Sequence, residues 1–446
     1  MFHHDDTIFA LASAPGRAGV SVVRVSGSRC LESFSALSQK HLEPRMATLC
    51  RLKEPVSRET IDQALVLYFA NPASYTGECL VEYHLHGGRA VVDSMLAYLQ
   101  GCHGHRLAEP GEFTRRAFEN GKMDLTEAEA VADLIDAQTQ AQRIQALSQI
   151  GGALSELYES WSESLKKMLA HIEADIEFPD EDMPEGILPT LLPKIELLSS
   201  EISAHLDDNR RGERLRDGVK IVIVGAPNAG KSSLLNLMAK REAAIVSDMA
   251  GTTRDVIDVH LDLDGYPVIL SDTAGLRPEE LGQDAQGLVE KEGIKRAIDL
   301  ANSADIKILL FDGSSDDVDQ GTLDLCDDQS IVAVNKCDEK SSLFKLSQGL
   351  EISVKSGDGI DSLLEKLTET IKELVGYQET PALTRERHRV ALMEAQECMV
   401  RSLSGALPEL VAEDLRLAIR ALGRITGRVD VEDLLDVVFR DFCIGK

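Results

Sequence analysis

The feature that most constrains the fold of this chain is the glycine-rich octapeptide GAPNAGKS at residues 225–232. It follows an apolar, strand-like run at residues 220–224 and leads into a helical pattern at residues 233–237. In that context backbone N–H groups and the helix N-terminus surround a triphosphate, Lys231 reaches its β- and γ-phosphates, and Ser232 ligates Mg²⁺. The motif therefore predicts an α/β domain with a phosphate-binding loop.

Two further motifs follow strand-like runs in the same segment. The sequence DTAG at residues 272–275 follows the run 267–270, which places a carboxylate near the Mg²⁺ shell and a glycine N–H near the γ-phosphate. The sequence NKCD at residues 335–338 follows the run 331–334, and an Asp there accepts two hydrogen bonds from guanine that adenine does not offer. The three motifs resemble the Ras-like GTPase pattern, which selects GTP over ATP. Residues 353–355, SVK, stand where that pattern has its last base-contacting motif.

Leu276 occupies the position where Ras-like enzymes carry the glutamine that orients the attacking water. Leucine has no polar group for that task, so another residue must orient the water and another cation must meet the transition-state charge. In GTPases with a similar PNAGKS loop, the loop asparagine ligates a potassium ion that replaces an arginine finger. This resemblance implies a K⁺ site at Asn228, completed by the backbone carbonyls of Ser247, Met249 and Thr252.

The same resemblance implies two more roles around the nucleotide. Thr253 is the switch threonine on Mg²⁺, together with Ser232. Glu290 orients the water, or Glu292 if the register differs, because residues 278–287 are longer than is usual for such GTPases. The residues expected to contact GTP are Asn228, Ala229, Gly230, Lys231, Ser232, Ser233, Ser247, Asp248, Met249, Ala250, Gly251, Thr252, Thr253, Asp272, Thr273, Ala274, Gly275, Asn335, Lys336, Cys337, Asp338, Ser353, Val354 and Lys355.

Composition limits the range of functions. The 446 residues suffice for two or three domains, and the formal net charge of −28 disfavours a protein that holds nucleic acid by bulk electrostatic attraction. The eight cysteines show neither C-x-x-C nor zinc spacing, which indicates a reduced, cytoplasmic protein. We find no signal peptide and no apolar run of transmembrane length, and therefore expect no membrane association.

The pattern of apolar residues changes near residue 120. Residues 1–120 combine short β-like runs with Gly and Pro turns and predict an α+β domain. Helical periodicity begins beyond them, where Thr126 and Glu129 fit a capping box. An apolar seam then runs from Ile150 to Ile172 with Trp161 as a core residue, and it predicts long helices.

The GTPase motifs lie between two helical segments. We therefore expect a multidomain α/β + α fold in which a Ras-like GTPase domain, residues 217–377, is inserted into a discontinuous helical domain, residues 121–216 and 378–446. The insertion would let the nucleotide state move the helices. A separate C-terminal helical domain is the alternative.

Motifs at both ends of the chain resemble the MnmE (TrmE) family of tRNA-modification GTPases. The C-terminal sequence FCIGK at residues 442–446 after a helical GTPase is the most specific of them. The others are APGRAG at 14–19, SYTGE at 74–78, HGG at 86–88, RLAEPGEFTRRAF at 106–118 and NGKMDL at 120–125.

This resemblance implies a reaction, cofactors and partners. Members of the family add an aminomethyl or carboxymethylaminomethyl group to carbon 5 of the tRNA wobble uridine, with the FAD- and NADH-dependent partner MnmG in a heterotetramer or larger complex. A tetrahydrofolate derivative, 5-formyl- or 5,10-methylene-, supplies the one-carbon unit, and K⁺ pairs the GTPase domains of a homodimer formed through the N-terminal domain. Carried over to this chain, the folate contacts fall on Arg24, Glu82, Lys122 and Lys446.

Cys443 is a candidate participant in the modification chemistry, because a thiolate is a good nucleophile. A packing or positioning role is the alternative, since no adjacent base can be read from the sequence. A metal cluster of His84, His86, His103 and His105 with Cys102 is disfavoured, because nothing in the sequence fixes its geometry.

Two other functions are consistent with the GTPase motifs alone. The first is a switch in ribosome assembly, although the chain lacks the basic RNA-binding module typical of such proteins. The second is a non-enzymatic scaffold that binds nucleotide as a structural element, which Leu276 would permit.

Overall fold

The computed structural model describes residues 6–177, 187–241, 258–272, 298–339, 341, 349–376, 381–405, 407–429, 432–440 and 442–445. Contacts divide the chain into two compact units. The first comprises Met1–Ala132, Ile150–Ser162 and Ile419–Lys446, and the second comprises Asp133–Gln149 and Glu163–Ala418. The predicted boundaries at residues 120, 217 and 377 stay predictions.

The first unit is built on a six-stranded sheet with the order β3-β4-β5-β2-β1-β6. Alternate residues along these strands are buried. Helices α1, Cys30–Leu37, and α2, Arg89–Gly101, pack on that face around Val23, Tyr83 and Met95. The strands are β1 Thr7–Leu11, β2 Ala18–Ser26, β3 Thr48–Lys53, β4 Thr60–Phe69, β5 Leu80–Gly87 and β6 His105–Leu107.

The second unit contains a six-stranded sheet with the order β12-β11-β10-β7-β9-β8. All pairings are parallel except that of β8 with β9, which form a hairpin. Apolar residues cover both faces, as an α/β sheet requires. The strands are β7 Val219–Val224, β8 Asp258–Leu263, β9 Tyr266–Asp272, β10 Ile306–Asp312, β11 Ser330–Asn335 and β12 Leu350–Glu351.

Helices make up most of the remaining described chain. In the first half they are α1 Cys30–Leu37, α2 Arg89–Gly101, α3 Glu112–Glu119, α4 Leu125–Asp136, α5 Gln140–Ile150, α6 Ala153–Glu177, α7 Leu188–Leu206 and α8 Arg211–Asp217. They continue with α9 Lys231–Arg241, α10 with described residues 298–303, α11 Gln320–Leu323, α12 Ile360–Val375, α13 Glu386–Leu403, α14 Pro408–Thr426 and α15 Glu432–Arg440. None of the described helices is long and apolar enough to cross a bilayer.

The expected fold class is confirmed by an α+β N-terminal sheet, long helices and a P-loop sheet. The long seam forms α6, where Leu165 and Ile172 are fully buried. Trp161 is 5% exposed with its ring centroid 5.7 Å from that of Tyr158, which confirms it as a core residue.

The predicted capping box was wrong by two residues. Asp124, rather than Thr126, lies before α4, and its Oδ1 accepts the backbone N–H of Glu127 at 3.0 Å. The Glu127 carboxylate accepts the Asp124 N–H in return at 2.8 Å. Thr126 donates its hydroxyl to Asp124 instead. Thr126 does not take the capping position because α4 begins at Leu125, which leaves Asp124 as the residue just before the helix.

Candidate nucleotide-binding site

Five parallel strands of the second unit place their carboxyl ends at one edge of the sheet. The phosphate-binding loop follows β7, Asp272 and Asp312 end β9 and β10, Asn335 ends β11, and Ser353 comes just after β12. In open α/β sheets this edge is where ligands bind. The fold therefore brings the phosphate-binding loop, Asp272 and the NKCD segment to one edge, although the first and last of them are more than 100 residues apart in the chain.

The loop after β7 passes too close to its neighbours for side chains at its two glycines. A Cβ on Gly225 would lie 2.2 Å from the Leu310 carbonyl oxygen, and one on Gly230, at φ +103°, would lie 2.3 Å from the Asn335 side-chain nitrogen. The Lys231 ammonium donates to the carbonyl oxygens of Gly225 and Ala226 at 2.7 and 3.0 Å. The lysine therefore closes the loop on itself, in position to turn toward a phosphate.

Asn335 connects the phosphate loop to the base-recognition loops. Its side-chain nitrogen donates to the Ala229 carbonyl oxygen at 2.8 Å, and its side-chain oxygen accepts the Val354 N–H at 3.0 Å. The side chain is 3% exposed. Both of its hydrogen bonds are therefore shielded from water and cost free energy to lose.

Asp338 is the carboxylate that the NKCD motif predicts for base recognition. The Ser353 hydroxyl donates to it at 2.7 Å, and this hydrogen bond lowers the pKa of Asp338. Lys355 lies 4.0 Å from its second oxygen. An ionised carboxylate held in this way can accept two N–H donors from one ligand edge, which suits guanine.

Asp312, which no sequence motif singled out, ends β10 at the same sheet edge. It pairs with Lys336 at 2.5 Å and accepts hydrogen bonds from Ser314. Burial raises its pKa, but the Lys336 and Ser314 contacts outweigh burial and lower it. A polar residue that ends a strand in the GTPase segment was the available signal.

The structure gathers one part of the predicted nucleotide contacts, and the other part lies outside the described residues. Asn228 to Ser233, Asp272, Asn335 to Asp338 and Ser353 to Lys355 are placed at the loops described above. The residues outside the described part are Ser247, Asp248, Met249, Ala250, Gly251, Thr252, Thr253, Thr273, Ala274, Gly275, Leu276, Glu290, Glu292 and Lys446.

A second polar cluster lies in the first unit, on the sheet face opposite α1 and α2. Arg24 on β2 pairs with Glu82 on β5 at 2.9 Å, and both side chains are 17% exposed. The guanidinium carbon lies 5.2 Å from the ring centroid of Tyr75 and 5.7 Å from that of Phe113. This cation between two aromatic rings offers a planar, charged surface to a flat ligand.

Lys122 approaches the same loop that carries Tyr75. Its ammonium donates to the Pro72 carbonyl oxygen at 3.2 Å, and a Cβ on Gly77 would lie 3.3 Å from its side chain. No sequence pattern singled out Tyr75 or Phe113, because the rings come from segments about 50 and 90 residues after Arg24.

The C-terminal tail lies along the strand next to this cluster. Ile444 forms a β-bridge with Pro110, and the Cys443 carbonyl oxygen accepts the Gly111 N–H at 3.4 Å. A Cβ on Gly445, at φ +102°, would lie 2.2 Å from the Leu11 carbonyl oxygen. The thiol of Cys443 belongs to an exposed residue. Gly445 therefore lies beside β1, whose Ala10 pairs with Arg24 on β2.

Comparison with known proteins identifies the family. A family model described as the MnmE helical domain matches residues 125–443, and one described as the GTP-binding protein TrmE N-terminus matches residues 7–122. The chain belongs to the MnmE family. It is 51% identical to the tRNA modification GTPase MnmE of Parvibaculum lavamentivorans over 453 residues, covering 99% of this chain and 100% of the relative. The corresponding protein of Paramagnetospirillum magneticum is 52% identical over 447 residues, with the same coverage. That of Rickettsia bellii is 46% identical over 450 residues, again with 99% and 100% coverage.

Membership of the MnmE family confirms the resemblance seen in the sequence and the assignment as a GTPase. It also implies that the chain binds GTP and Mg²⁺. The loop around Gly225 and Gly230 fits phosphates, because it leads into the N-terminus of α9, whose first backbone N–H groups have no acceptor within the helix. Ser232, the second residue of α9, is the residue of this loop that would hold Mg²⁺.

The histidines that raised the question of a metal cluster have other partners in this MnmE-family chain. His86 Nδ1 lies 2.8 Å from Asp62, and His84 lies 3.6 Å from Glu82. Among the described residues, no group of three His, Cys, Asp or Glu side chains is arranged to hold a metal ion.

Proposed function

We propose that this chain is a potassium-dependent GTPase whose hydrolysis cycle drives modification of the tRNA wobble uridine. The observation that carries the proposal is the convergence of the phosphate loop, Asn335 and Asp338 at one sheet edge, in a chain that is 51% identical to a named tRNA modification GTPase. The ribosome-assembly and scaffold alternatives lose their support, because the family match spans both the N-terminal sheet and the helices.

The hydrolysis cycle is testable with a non-hydrolysable GTP analogue. If hydrolysis moves the helices, tRNA modification by the chain and its flavin-dependent partner stops with the analogue and proceeds with GTP. Full modification in the presence of the analogue would show that binding energy alone is used, and would contradict the cycle.

The potassium site is proposed at Asn228. This residue adopts φ 66° in the loop and is exposed beside Lys231, whose ammonium the loop carbonyls hold. A backbone in this left-handed region suits Asn better than most residues. A cation there would add positive charge next to the γ-phosphate, the role of an arginine finger.

The other roles around the nucleotide remain proposals. The carbonyls of Ser247, Met249 and Thr252 are the proposed further ligands of the potassium ion. Thr253 is the proposed second Mg²⁺ ligand, and Glu290 is the proposed water-orienting residue.

The folate site is proposed at the Arg24 cluster. Its two aromatic rings suit a flat pterin, Glu82 can accept N–H donors, and Arg24, Lys122 and Lys446 supply positive charge for a glutamate tail. Contacts to a charged group contribute about 1.5–3 kcal/mol, so Arg24→Gln should weaken 5-formyltetrahydrofolate binding roughly 10- to 150-fold by calorimetry.

A control variant separates this effect from a general loss of positive charge. Arg29 lies in the same unit and contacts His103 instead. Arg29→Gln should leave folate affinity within about twofold of the wild type. Equal losses in both variants would contradict the assignment of the site.

Cys443 is proposed to take part in the modification chemistry. The tail that carries it is held against Pro110 and Leu11, beside the proposed folate site. Cys443→Ser should abolish tRNA modification and leave GTP hydrolysis intact. Cys326→Ser is the matched control, because Cys326 is also exposed but lies in the GTPase unit. Normal modification by Cys443→Ser would leave the cysteine a positioning role at most.

A homodimer is proposed through the face of the N-terminal sheet that α1 and α2 do not cover. Leu49 on β3 and Leu65 on β4 are directly opposite each other, and 49% and 46% of their surfaces are exposed. Such an apolar pair on a sheet face is a docking surface of the kind that oligomers bury. By light scattering, Leu65→Lys should shift the chain toward monomer, whereas Val56→Lys in the β3–β4 turn should not. MnmG is the proposed partner of this dimer.

Cytoplasmic localisation remains part of the proposal. All eight cysteines are free, as is usual for proteins in a reducing compartment.

A further inference from the structure

The β8–β9 hairpin joins the two segments that respond to nucleotide in the proposed cycle. β8 begins at Asp258, directly after the segment that carries Thr252 and Thr253, and β9 ends at Asp272, directly before residues 273–275. The two strands pair from Asp258 and Ser271 to Leu263 and Tyr266, and the Ser271 hydroxyl donates to Asp258 at 2.6 Å. The hairpin is therefore a continuous paired ribbon whose open end adjoins both segments.

The turn at the other end of this hairpin is well defined. Asp264 and Gly265 have φ values of 51° and 87°, as in the tight two-residue turn that Asp-Gly favours. The Gly265 N–H donates to Asp262 at 2.7 Å, and Lys372 of α12 pairs with Asp264 at 2.7 Å. The turn is therefore fixed with respect to the strands and to α12.

This turn contacts the start of α5. The Ala141 N–H, in the first turn of α5, donates to the Gly265 carbonyl oxygen at 3.0 Å. The first N–H groups of a helix have no acceptor within the helix, so a carbonyl from another element fills that need. The hairpin turn thus supplies the acceptor for a helix outside the GTPase motifs.

The N-terminus of α5 also contacts α8, the helix that directly precedes β7 of the second sheet. The Gln142 side chain donates to the Arg216 carbonyl oxygen at 2.9 Å and accepts the Thr139 N–H at 3.1 Å. Arg216 in turn pairs with Asp133 of α4 at 2.9 Å. The hairpin turn, α8 and the α4–α5 connection therefore meet at the N-terminus of α5, all within the second compact unit.

We propose that the hydrogen bond from Ala141 to the Gly265 carbonyl is the contact through which the nucleotide state reaches the helices. Movement at the open end of the hairpin is carried along the paired strands to its turn. There it changes the support of the α5 N-terminus. Ala141 and Gln142 are positioning residues for the reaction rather than catalytic ones. The inference rests on the proposed GTP cycle for its biological meaning, although the contact itself can be tested with nucleotide alone.

A proline pair isolates this hydrogen bond. Ala141→Pro removes the donor, and proline is accepted in the first turn of a helix. Gln140→Pro places the same ring one residue earlier and leaves the Ala141 N–H in place. Hydrogen exchange of α5 peptides is measured in the full chain with GDP and with a non-hydrolysable GTP analogue, because exchange reports local opening directly.

The expected result is a nucleotide-dependent difference in α5 exchange in the wild type and in Gln140→Pro, and its loss in Ala141→Pro. GTP hydrolysis should stay within about twofold of the wild type in both variants, while tRNA modification falls only in Ala141→Pro. A difference that survives in Ala141→Pro, or that is absent from the wild type, overturns the proposal.

A second variant keeps the proposal testable if Ala141→Pro does not fold. Gln142→Ala keeps the Ala141 donor and removes the side-chain link to Arg216, so a partial loss of the exchange difference is expected. If Ala141→Pro does not fold, an unchanged difference in Gln142→Ala overturns the proposal. If the chain does not support tRNA modification at all, the exchange result still decides whether the contact responds to nucleotide, so the two failures are distinguishable.

Discussion

Replacing Asn335 tests whether the phosphate loop and the base-recognition loops form one binding site. Asn335→Ala removes two buried hydrogen bonds, to the Ala229 carbonyl oxygen and to the Val354 N–H. A buried hydrogen bond contributes about 0.5–1.5 kcal/mol, and a partner left unsatisfied costs about 1–3 kcal/mol. Water can partly replace the lost partners at either loop, so we expect the two losses together to cost about 2–3 kcal/mol of nucleotide-binding free energy. This corresponds to a roughly 30- to 150-fold weaker nucleotide affinity.

The assay is a titration of fluorescent GDP followed by anisotropy, with thermal melting measured in parallel. Cys337→Ala is the control, because it alters the same loop and leaves both Asn335 hydrogen bonds in place. It should change affinity by less than about threefold. Asn335→Ala affinity equal to that of the control would refute the reasoning. A loss confined to the melting temperature would show that Asn335 acts in folding and does not organise the nucleotide site.

Three further predictions concern single side chains. Ser353→Ala removes the donor to Asp338, and we expect the preference for GDP over ADP in competition titrations to fall roughly five- to tenfold. Gly225→Ala places a Cβ 2.2 Å from the Leu310 carbonyl oxygen, and nucleotide binding should be abolished while the circular dichroism of the helices is retained. Burial lowers the pKa of His205 to about 4, so protonation favours the unfolded state below its ordinary value of 6.5. Wild type should therefore lose about 1–2 kcal/mol more than His205→Gln between pH 7 and pH 5 in denaturant titrations, and parallel curves would contradict this.

The local parts of the nucleotide site could be predicted from the sequence. The phosphate loop is predicted by a strand-like run, a glycine-rich loop and a helical pattern that follow one another. Short apolar runs likewise predict that Asp272 and Asn335 lie at strand ends. Each of these patterns depends on neighbours in the chain. The sequence order of the motifs then indicates that the strand ends share one edge, as the fold shows.

The remaining features depend on contacts between distant segments. The rings of Tyr75 and Phe113 reach Arg24 only through the fold of the first unit, and the Ala141 contact with Gly265 joins residues more than 120 positions apart. The capping box was misplaced for a different reason, since Asp124 and Thr126 both have suitable side chains and the periodicity does not choose between them.

The most direct test of the account is GTP hydrolysis by the purified chain in matched potassium and sodium buffers, with Asn228→Ala measured beside it. The account predicts strong stimulation by potassium and its loss in the variant, because the cation at Asn228 supplies the charge that an arginine finger supplies elsewhere. Equal rates in the two salts, or potassium stimulation that survives in Asn228→Ala, would contradict it.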